Sequence, residues 1–208
     1  MTSSIIVVHG TVLSGHTHRV ENLLGMLGVP YRLEPAPAAV RRTPAFRALN
    51  PLGQIPVLQD GELVLADSNA ILVYLARRYG AGTRWLPDEP VAAARVQRWL
   101  SIAAGEVKYG PAIARILTLW GGAGDLTAAH AIAAELLAFM DGHLRGRSFL
   151  AADHATIADL ACYPYLAHAP EGRISLADFP AVRAWIARVE ALPGFRPMPV
   201  TAIPEGRS

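Results

Sequence analysis

A proline at the head of a short apolar strand constrains this chain more than any other feature. Asn50-Pro51-Leu52-Gly53-Gln54-Ile55-Pro56-Val57-Leu58 places a turn at Pro51 and Gly53 ahead of the strand Ile55 to Leu58. Pro56 has no N–H to give to a β-ladder, which confines it to an edge, a bulge or a cis turn. With a cis Ile55–Pro56 bond, the main-chain groups of Ile55 turn outward and stay free to pair with an extended ligand backbone. Asp60-Gly61 is a two-residue hairpin signal, Glu62 to Leu65 is the return strand, and Asp67-Ser68 opens a helical run through Ile71, Leu72, Leu75, Arg78 and Tyr79.

Free backbone N–H groups at a helix start attract a carboxylate, and Asp67 beside them is placed to hold an ammonium group. Asp67 or Ser68 acting as a plain helix cap is the competing reading, and the more common one for such residues taken alone. The proximity of Pro56 favours a ligand site.

Upstream, Ile5-Ile6-Val7-Val8 is a strand ended by Gly10, and Val20, Leu23, Leu24 and Leu27 recur at helical spacing before Gly28. Tyr31 to Leu33 is a second short strand, so a right-handed parallel crossover is the economical connection. The resulting order, βαβ then ββα, is the thioredoxin-like α/β arrangement. Where a dithiol enzyme of that arrangement carries Cys-x-x-Cys, this chain reads Leu13-Ser14-Gly15-His16-Thr17-His18-Arg19-Val20. Hydroxyls replace thiols.

Asn-Pro-Leu-Gly-Gln-Ile-Pro-Val-Leu followed by Ala-Asp-Ser-Asn-Ala-Ile-Leu-Val-Tyr-Leu resembles the glutathione-binding half of the cytosolic glutathione transferases. The resemblance covers nearly the whole chain. It implies glutathione as co-substrate, held by Gln54, Ile55, Pro56, Asp67 and Ser68, with Ser14 donating a hydrogen bond to its sulfur. Such a bond, next to a helix N-terminus, stabilises the reactive thiolate. Ser14 as a cap for the following helix is the alternative. His16 stands where related sequences often have Asn, which leaves His16, Thr17 or a backbone N–H as other donors, and Thr11 as a weaker one. The implied activity is attack on a small hydrophobic electrophile. Glutathione-dependent reduction or isomerisation on the same site, or a non-catalytic interaction protein on the same fold, are the alternatives. The resemblance also implies a homodimer in the cytoplasm, and an acceptor pocket between Thr11 to Ser14 and Ile102, Glu106, Tyr109 and Ile113. Those last four positions also read as ordinary packing residues.

Composition narrows the classes. The 208 residues are 52% hydrophobic and 17% charged, with a net charge of +2 and no long basic run. That balance gives no reason to expect nucleic acid or a membrane surface as partner. Cys162 is the sole cysteine, which excludes an intrachain disulfide and an internal dithiol couple and suits a reducing compartment. Met1 to Gly10 has neither a basic leader region nor a cleavage site. His16 and His18 do not share a helix face and lack companions, so no metal is expected. Arg41, Arg42 and Arg47 form a basic segment able to place a cation near the glycine carboxylate of glutathione, or simply a solvated face.

Gly80 to Pro90 breaks periodicity with glycines and prolines, dividing the chain into an α/β segment 1–80, a linker 81–90 and an all-helical segment 91–208. Val96, Trp99, Leu100, Ala103 and Val107 trace one stripe, and Ile132, Leu136, Leu137, Met140 and Leu144 another, with Gly121 to Gly124 between. These predict a packed helical hairpin. Thr156-Ile157-Ala158-Asp159 is a capping box, Pro164 is expected to kink the helix that follows, and Val182, Trp185, Ile186, Val189 and Leu192 predict a last helix from Pro180. The tail from Pro197 shows no periodicity.

Overall fold

The β-branched run near the N-terminus folds as β1 (Ile6–Gly10), with Ile6, Val8 and Gly10 turned into the interior. The computed structural model describes residues 5–204; the first four and last four positions of the expected segments lie outside that range. After β1 come α1 (Gly15–Met26), β2 (Tyr31–Pro35), α2 (Ala38–Arg41), α3 (Pro44–Leu49), β3 (Val57–Asp60), β4 (Leu63–Ala66) and α4 (Ser68–Tyr79). The sheet order is β2-β1-β3-β4. β1 and β2 are parallel, in register Val8 to Leu33, whereas β1–β3 and β3–β4 are antiparallel. The expected βαβ-ββα order is therefore the observed one.

Two short helices, α2 and α3, stand where hydrophobic periodicity signals nothing. Four and six residues are too few to show a period. The local signal for α3 was its cap: Thr43 Oγ1 accepts from Phe46 N–H at 3.2 Å, with Pro44 at the first helical position.

The second half comprises α5 (Pro90–Ala104), a π-helical turn (Lys108–Ala112), α6 (Ile113–Trp120), α7 (Leu126–Leu144), α8 (Ile157–Ala167), a 3₁₀ turn (Ala169–Gly172) and α9 (Pro180–Glu190). The expected two-helix hairpin is more elaborate. α5 packs chiefly on α8, while α7 lies against the π-helical turn, α6 and α9. Gly105 leaves helical geometry (φ −96, ψ −100) and splits the first stripe between α5 and the elements beyond it. Trp99 still stacks on Phe139 of α7 at 5.7 Å. α8 continues past Pro164, which lies inside it.

The capping box at α8 is a buried hub. Thr156 Oγ1 accepts from Ala158 N–H, and Asp159 Oδ2 accepts from Thr156 N–H at 2.9 Å. Asp159 Oδ1 accepts from Leu150 N–H at 3.0 Å and from Trp185 Nε1–H at 2.9 Å, joining α9 and the loop before α8 to one carboxylate. The tail is pinned as well. Asn22 receives Arg196 N–H on Oδ1 at 2.9 Å and donates Nδ2–H to Arg196 O at 3.0 Å.

A single hydrophobic cluster takes in Val8, Leu23 and Leu72 from the first half and Trp99, Leu137, Tyr163 and Trp185 from the second. The sheet edge and the helical half are thereby held at a fixed distance, with a cleft between them. Among the described residues no helix is long and apolar enough to cross a membrane.

Candidate active site

Three chain reversals meet at that cleft. The N-terminus of α1, the turn before β3 and the N-terminus of α4 line one side of a cavity of about 800 Å³. Ala104, Lys108, Arg115, Ile116, Trp120 and Tyr165 line the other. A second cavity of about 580 Å³, bordered by Arg95, Arg98, His143 and Arg147, contains none of the expected site residues.

The turn before β3 is built from side chain to backbone. Asn50 Nδ2 donates to Gln54 O at 2.9 Å, and Asn50 Oδ1 accepts from Leu52 N–H at 3.1 Å. Gly53 takes φ +63, a left-handed conformation that glycine adopts without strain. The Ile55–Pro56 bond is cis. Within the described residues neither the N–H nor the carbonyl of Ile55 is paired, and Gln54, Ile55 and Pro56 all border the cavity.

At α4, Asp67 is the N-cap: its Oδ1 accepts from Asn69 N–H at 2.9 Å and Ala70 N–H at 3.0 Å. It does so at φ 73, ψ 118, a strained conformation for a residue with a side chain and one that clusters at functional sites. Oδ2 remains without a partner among the described residues, as does the Ser68 N–H. Capping and ligand contact are thus compatible at Asp67, because they use different oxygens.

Ser68 Oγ accepts from Arg19 Nη1 at 3.3 Å and lies 3.2 Å from His16 Nδ1. Arg19 Nη1 also donates to Asn69 Oδ1 at 2.8 Å, while Arg19 Nε and Nη2 are buried without a partner among the described residues. Burial, with the positive charges of Arg19 and Lys108, holds the His16 pKa well below its ordinary value. The imidazole is therefore neutral and shares one hydrogen bond with the Ser68 hydroxyl.

Ser14 caps α1, its Oγ accepting from Thr17 N–H at 3.3 Å, and it lines the cavity together with Thr11 and His16. Thr17 is fully buried and does not border the cavity; its Oγ1 receives Thr11 N–H at 3.4 Å. Tyr165 of α8 comes up beside Ser14. Burial raises its hydroxyl pKa, against the pull of Arg19, the His16 backbone N–H, Arg115 and the Ser14 hydroxyl. Gly15 makes this approach feasible, because a Cβ there would lie 2.8 Å from Tyr165 Cζ and 2.9 Å from Pro164 Cβ.

The family described as "Glutathione S-transferase, N-terminal domain" matches residues 8–84, and "Glutathione S-transferase, C-terminal domain" matches residues 123–193. Glutathione S-transferase 3 of Zea mays is 34% identical over 95% of this chain and 94% of its own length. The chain belongs to the glutathione S-transferase family. Glutathione S-transferase theta-1 of Bos taurus is 32% identical, covering 72% of this chain and 67% of that protein. Among solved structures, a glutathione S-transferase from Pseudomonas fluorescens superposes with TM-score 0.88 at 32% identity, over 94% of this chain and 99% of that one. A theta class glutathione S-transferase from Xanthomonas axonopodis with glutathione bound gives TM-score 0.84 at 28% identity, over 95% and 98%.

In this glutathione S-transferase the helical wall departs from the expected residues. Ile102, Glu106, Tyr109 and Ile113 do not border the cavity; Ala104, Lys108, Arg115, Ile116 and Trp120 do. Ala104 lies inside α5, before the break at Gly105, and already borders the cavity where Ile102 does not, so the expected positions follow a different face of the helix. Val107 is fully buried, as its place on the first stripe predicts, and Tyr109 is exposed. Of the three arginines in the basic segment, Arg41 reaches the cavity, its Nε buried without a partner among the described residues. Arg47 instead donates to Pro51 O and braces the turn.

Of the lining residues that carry a charge or a hydroxyl, four escaped the sequence reading. Arg19 left a trace, being charged yet one helical turn before Leu23 on the buried stripe. Lys108, Arg115 and Tyr165 left none, since they reach the cavity only once the π-helical turn, α6 and α8 have docked beside the first half. Arg115 is buried: Nε donates to Glu171 Oε2 at 2.5 Å and Nη1 to Leu13 O at 2.9 Å, reaching from α6 to the loop that carries Ser14. Glu171 Oε1 in turn accepts from His168 Nδ1 at 2.7 Å and from Thr201 N–H at 2.9 Å. No group of His, Cys, Asp and Glu among the described residues is arranged to hold a metal.

Proposed function

We propose that the cavity binds glutathione along the sheet side and activates its sulfur for attack on a small electrophile held against the helical wall. The observation that carries this reading is the buried, partly unpaired guanidinium of Arg19 on Ser68, beside the free Asp67 oxygen and the unpaired backbone of Ile55. That set complements a zwitterionic amino-acid end followed by an extended peptide. Ser68 N–H, Ser68 Oγ and Arg19 take the γ-glutamyl carboxylate, Asp67 Oδ2 takes its ammonium, and Ile55 pairs with the cysteinyl backbone. Arg41 is positioned for the glycine carboxylate.

The sulfur then lies near the N-terminus of α1. The Ser14 hydroxyl donates to it, with the α1 dipole adding to the stabilisation of a thiolate. The thiol proton leaves to solvent, the sulfur forms a bond to the electrophilic carbon, and a leaving group departs with its electron pair or an activated double bond takes the charge. Holding both reactants in one cleft supplies the proximity that the uncatalysed reaction lacks.

The test is calorimetric titration of glutathione together with side-by-side assays of conjugation, mixed-disulfide reduction and double-bond isomerisation. Conjugation is the expected activity; glutathione binding without any turnover favours the non-catalytic reading. As part of the same reading, the chain acts in the cytoplasm as a homodimer that covers the exposed Leu63, Val64, Val91 and Phe139. A monomer in sedimentation at micromolar concentration would count against that assembly.

A further inference from the structure

The helical wall of the cavity carries more hydrogen-bonding capacity than glutathione needs. On the sheet side, Arg19 with Ser68 and Arg41 already answer the two carboxylates of the tripeptide. Across the cleft, Arg115 is 1% exposed, and two of its three nitrogens are used, Nε on Glu171 and Nη1 on Leu13 O. The third, Nη2, is buried and has no acceptor among the described residues. Leaving such a donor unsatisfied in the bound state is costly, and more so on a charged group. Lys108, on the same wall, has the Tyr109 ring 5.1 Å from its ammonium and pairs with no carboxylate among the described residues.

These two groups are set into an aromatic and aliphatic surface. The Trp120 ring lies 5.1 Å from the Arg115 guanidinium carbon, and Ile116 and Trp120 both border the cavity while half open to it. A neutral apolar electrophile would cover Trp120 and Ile116 but leave Arg115 Nη2 unpaired and Lys108 desolvated. A flat molecule with a carboxylate at one end would satisfy both and keep its ring on Trp120.

We infer that this enzyme takes acceptors that are anionic: aromatic or conjugated electrophiles bearing a carboxylate, which Arg115 Nη2 and Lys108 bind while the ring lies against Trp120. The inference rests on the glutathione reading and deepens it. It makes Arg115 an acceptor-binding residue besides its structural contact with Leu13.

Unreactive look-alikes separate binding from chemistry. The full chain, saturated with glutathione, is titrated calorimetrically with 3,5-dinitrobenzoate and with 1,3-dinitrobenzene, which differ by the carboxylate and carry no leaving group. The expected result is at least roughly tenfold tighter binding of the benzoate, falling with added salt. In Lys108→Gln, and in Arg115→Gln combined with Glu171→Gln so that no carboxylate is orphaned, the preference should shrink at least about threefold while the neutral ligand binds as before. Should the double variant not fold, the wild-type pair and Lys108→Gln still decide the matter. Equal binding of the two ligands by the wild type overturns the inference. So does an undiminished preference in Lys108→Gln, or a Lys108→Gln defect confined to glutathione affinity, which would assign that cation to the tripeptide. Failure of the glutathione reading looks different: the chain alone would not bind glutathione in the first titration.

Discussion

Replacing Asp159 should unfold this protein without touching its site. The carboxylate is fully buried and takes four donors: Thr156 N–H at 2.9 Å, Thr156 Oγ1–H at 3.3 Å, Leu150 N–H at 3.0 Å and Trp185 Nε1–H at 2.9 Å. Asp159→Ala strands three buried N–H groups. At about 1–3 kcal/mol for each unsatisfied donor, the loss is roughly 3–9 kcal/mol, a large share of a typical domain stability of about 5–15 kcal/mol. Asp159→Asn keeps one oxygen for Leu150 and Trp185 but turns an amide N–H toward Thr156 N–H, stranding one donor at about 1–3 kcal/mol. Burial raises the Asp159 pKa despite the four donors, so the neutral amide also removes a buried charge and its cost falls at the lower end. Urea unfolding followed by circular dichroism gives the order: wild type, then Asn, then Ala, with little change in slope. Glutathione affinity per folded molecule should be unchanged, because Asp159 does not border the cavity. An alanine variant within about 1 kcal/mol of wild type, or no less stable than the asparagine variant, would refute the hub.

Ser68→Ala and Asp67→Asn should each weaken glutathione roughly tenfold to a hundredfold, the equivalent of about 1.5–3 kcal/mol for a charge-assisted bond. Asparagine retains the α4 cap, so its melting temperature should hold, whereas Asp67→Ala should lose about 1 kcal/mol of stability as well; calorimetric titration and thermal melts check both. Ser14→Ala should raise the apparent pKa of bound glutathione and lower turnover at neutral pH with little change in affinity, read from thiolate ultraviolet absorbance against pH. An unmoved titration there, with a shift in a His16 variant, would pass the donor role to the His16 imidazole. Burial, with positive charge nearby, pushes the His18 pKa down to about 4. The unfolded chain therefore takes up a proton near 6.5 that the folded state refuses. The His18 contribution is complete above about pH 6.5 and is lost as pH falls toward 4, by at most about 3 kcal/mol. His18→Gln, which keeps a donor for Arg196 O, should flatten that part of the stability profile.

The sequence by itself determined whatever is local or periodic. The β-branched run of β1, the Asp60-Gly61 hairpin, the Thr156–Asp159 box and the α1 stripe each rest on residues within a few positions of one another, so turn chemistry and hydrophobic spacing suffice to read them. The same holds for Ile55, Pro56, Asp67 and Ser68, where a turn, a strand and a helix start lie within one short stretch and fix the sheet side of the cavity. Only tertiary structure decided the opposite wall. Ile102, Glu106, Tyr109 and Ile113 have the right spacing for a straight helix. Ala104, Lys108 and Arg115 also recur at helical spacing, two positions further on, and spacing alone does not say which face meets the cleft. Tyr165 reaches Ser14 across about 150 positions because α8 packs on α1 over Gly15. Arg115 meets Leu13 O only after α6 has docked. Such contacts depend on where helices come to rest against one another, a balance struck by the whole core, and no short stretch of sequence carries it.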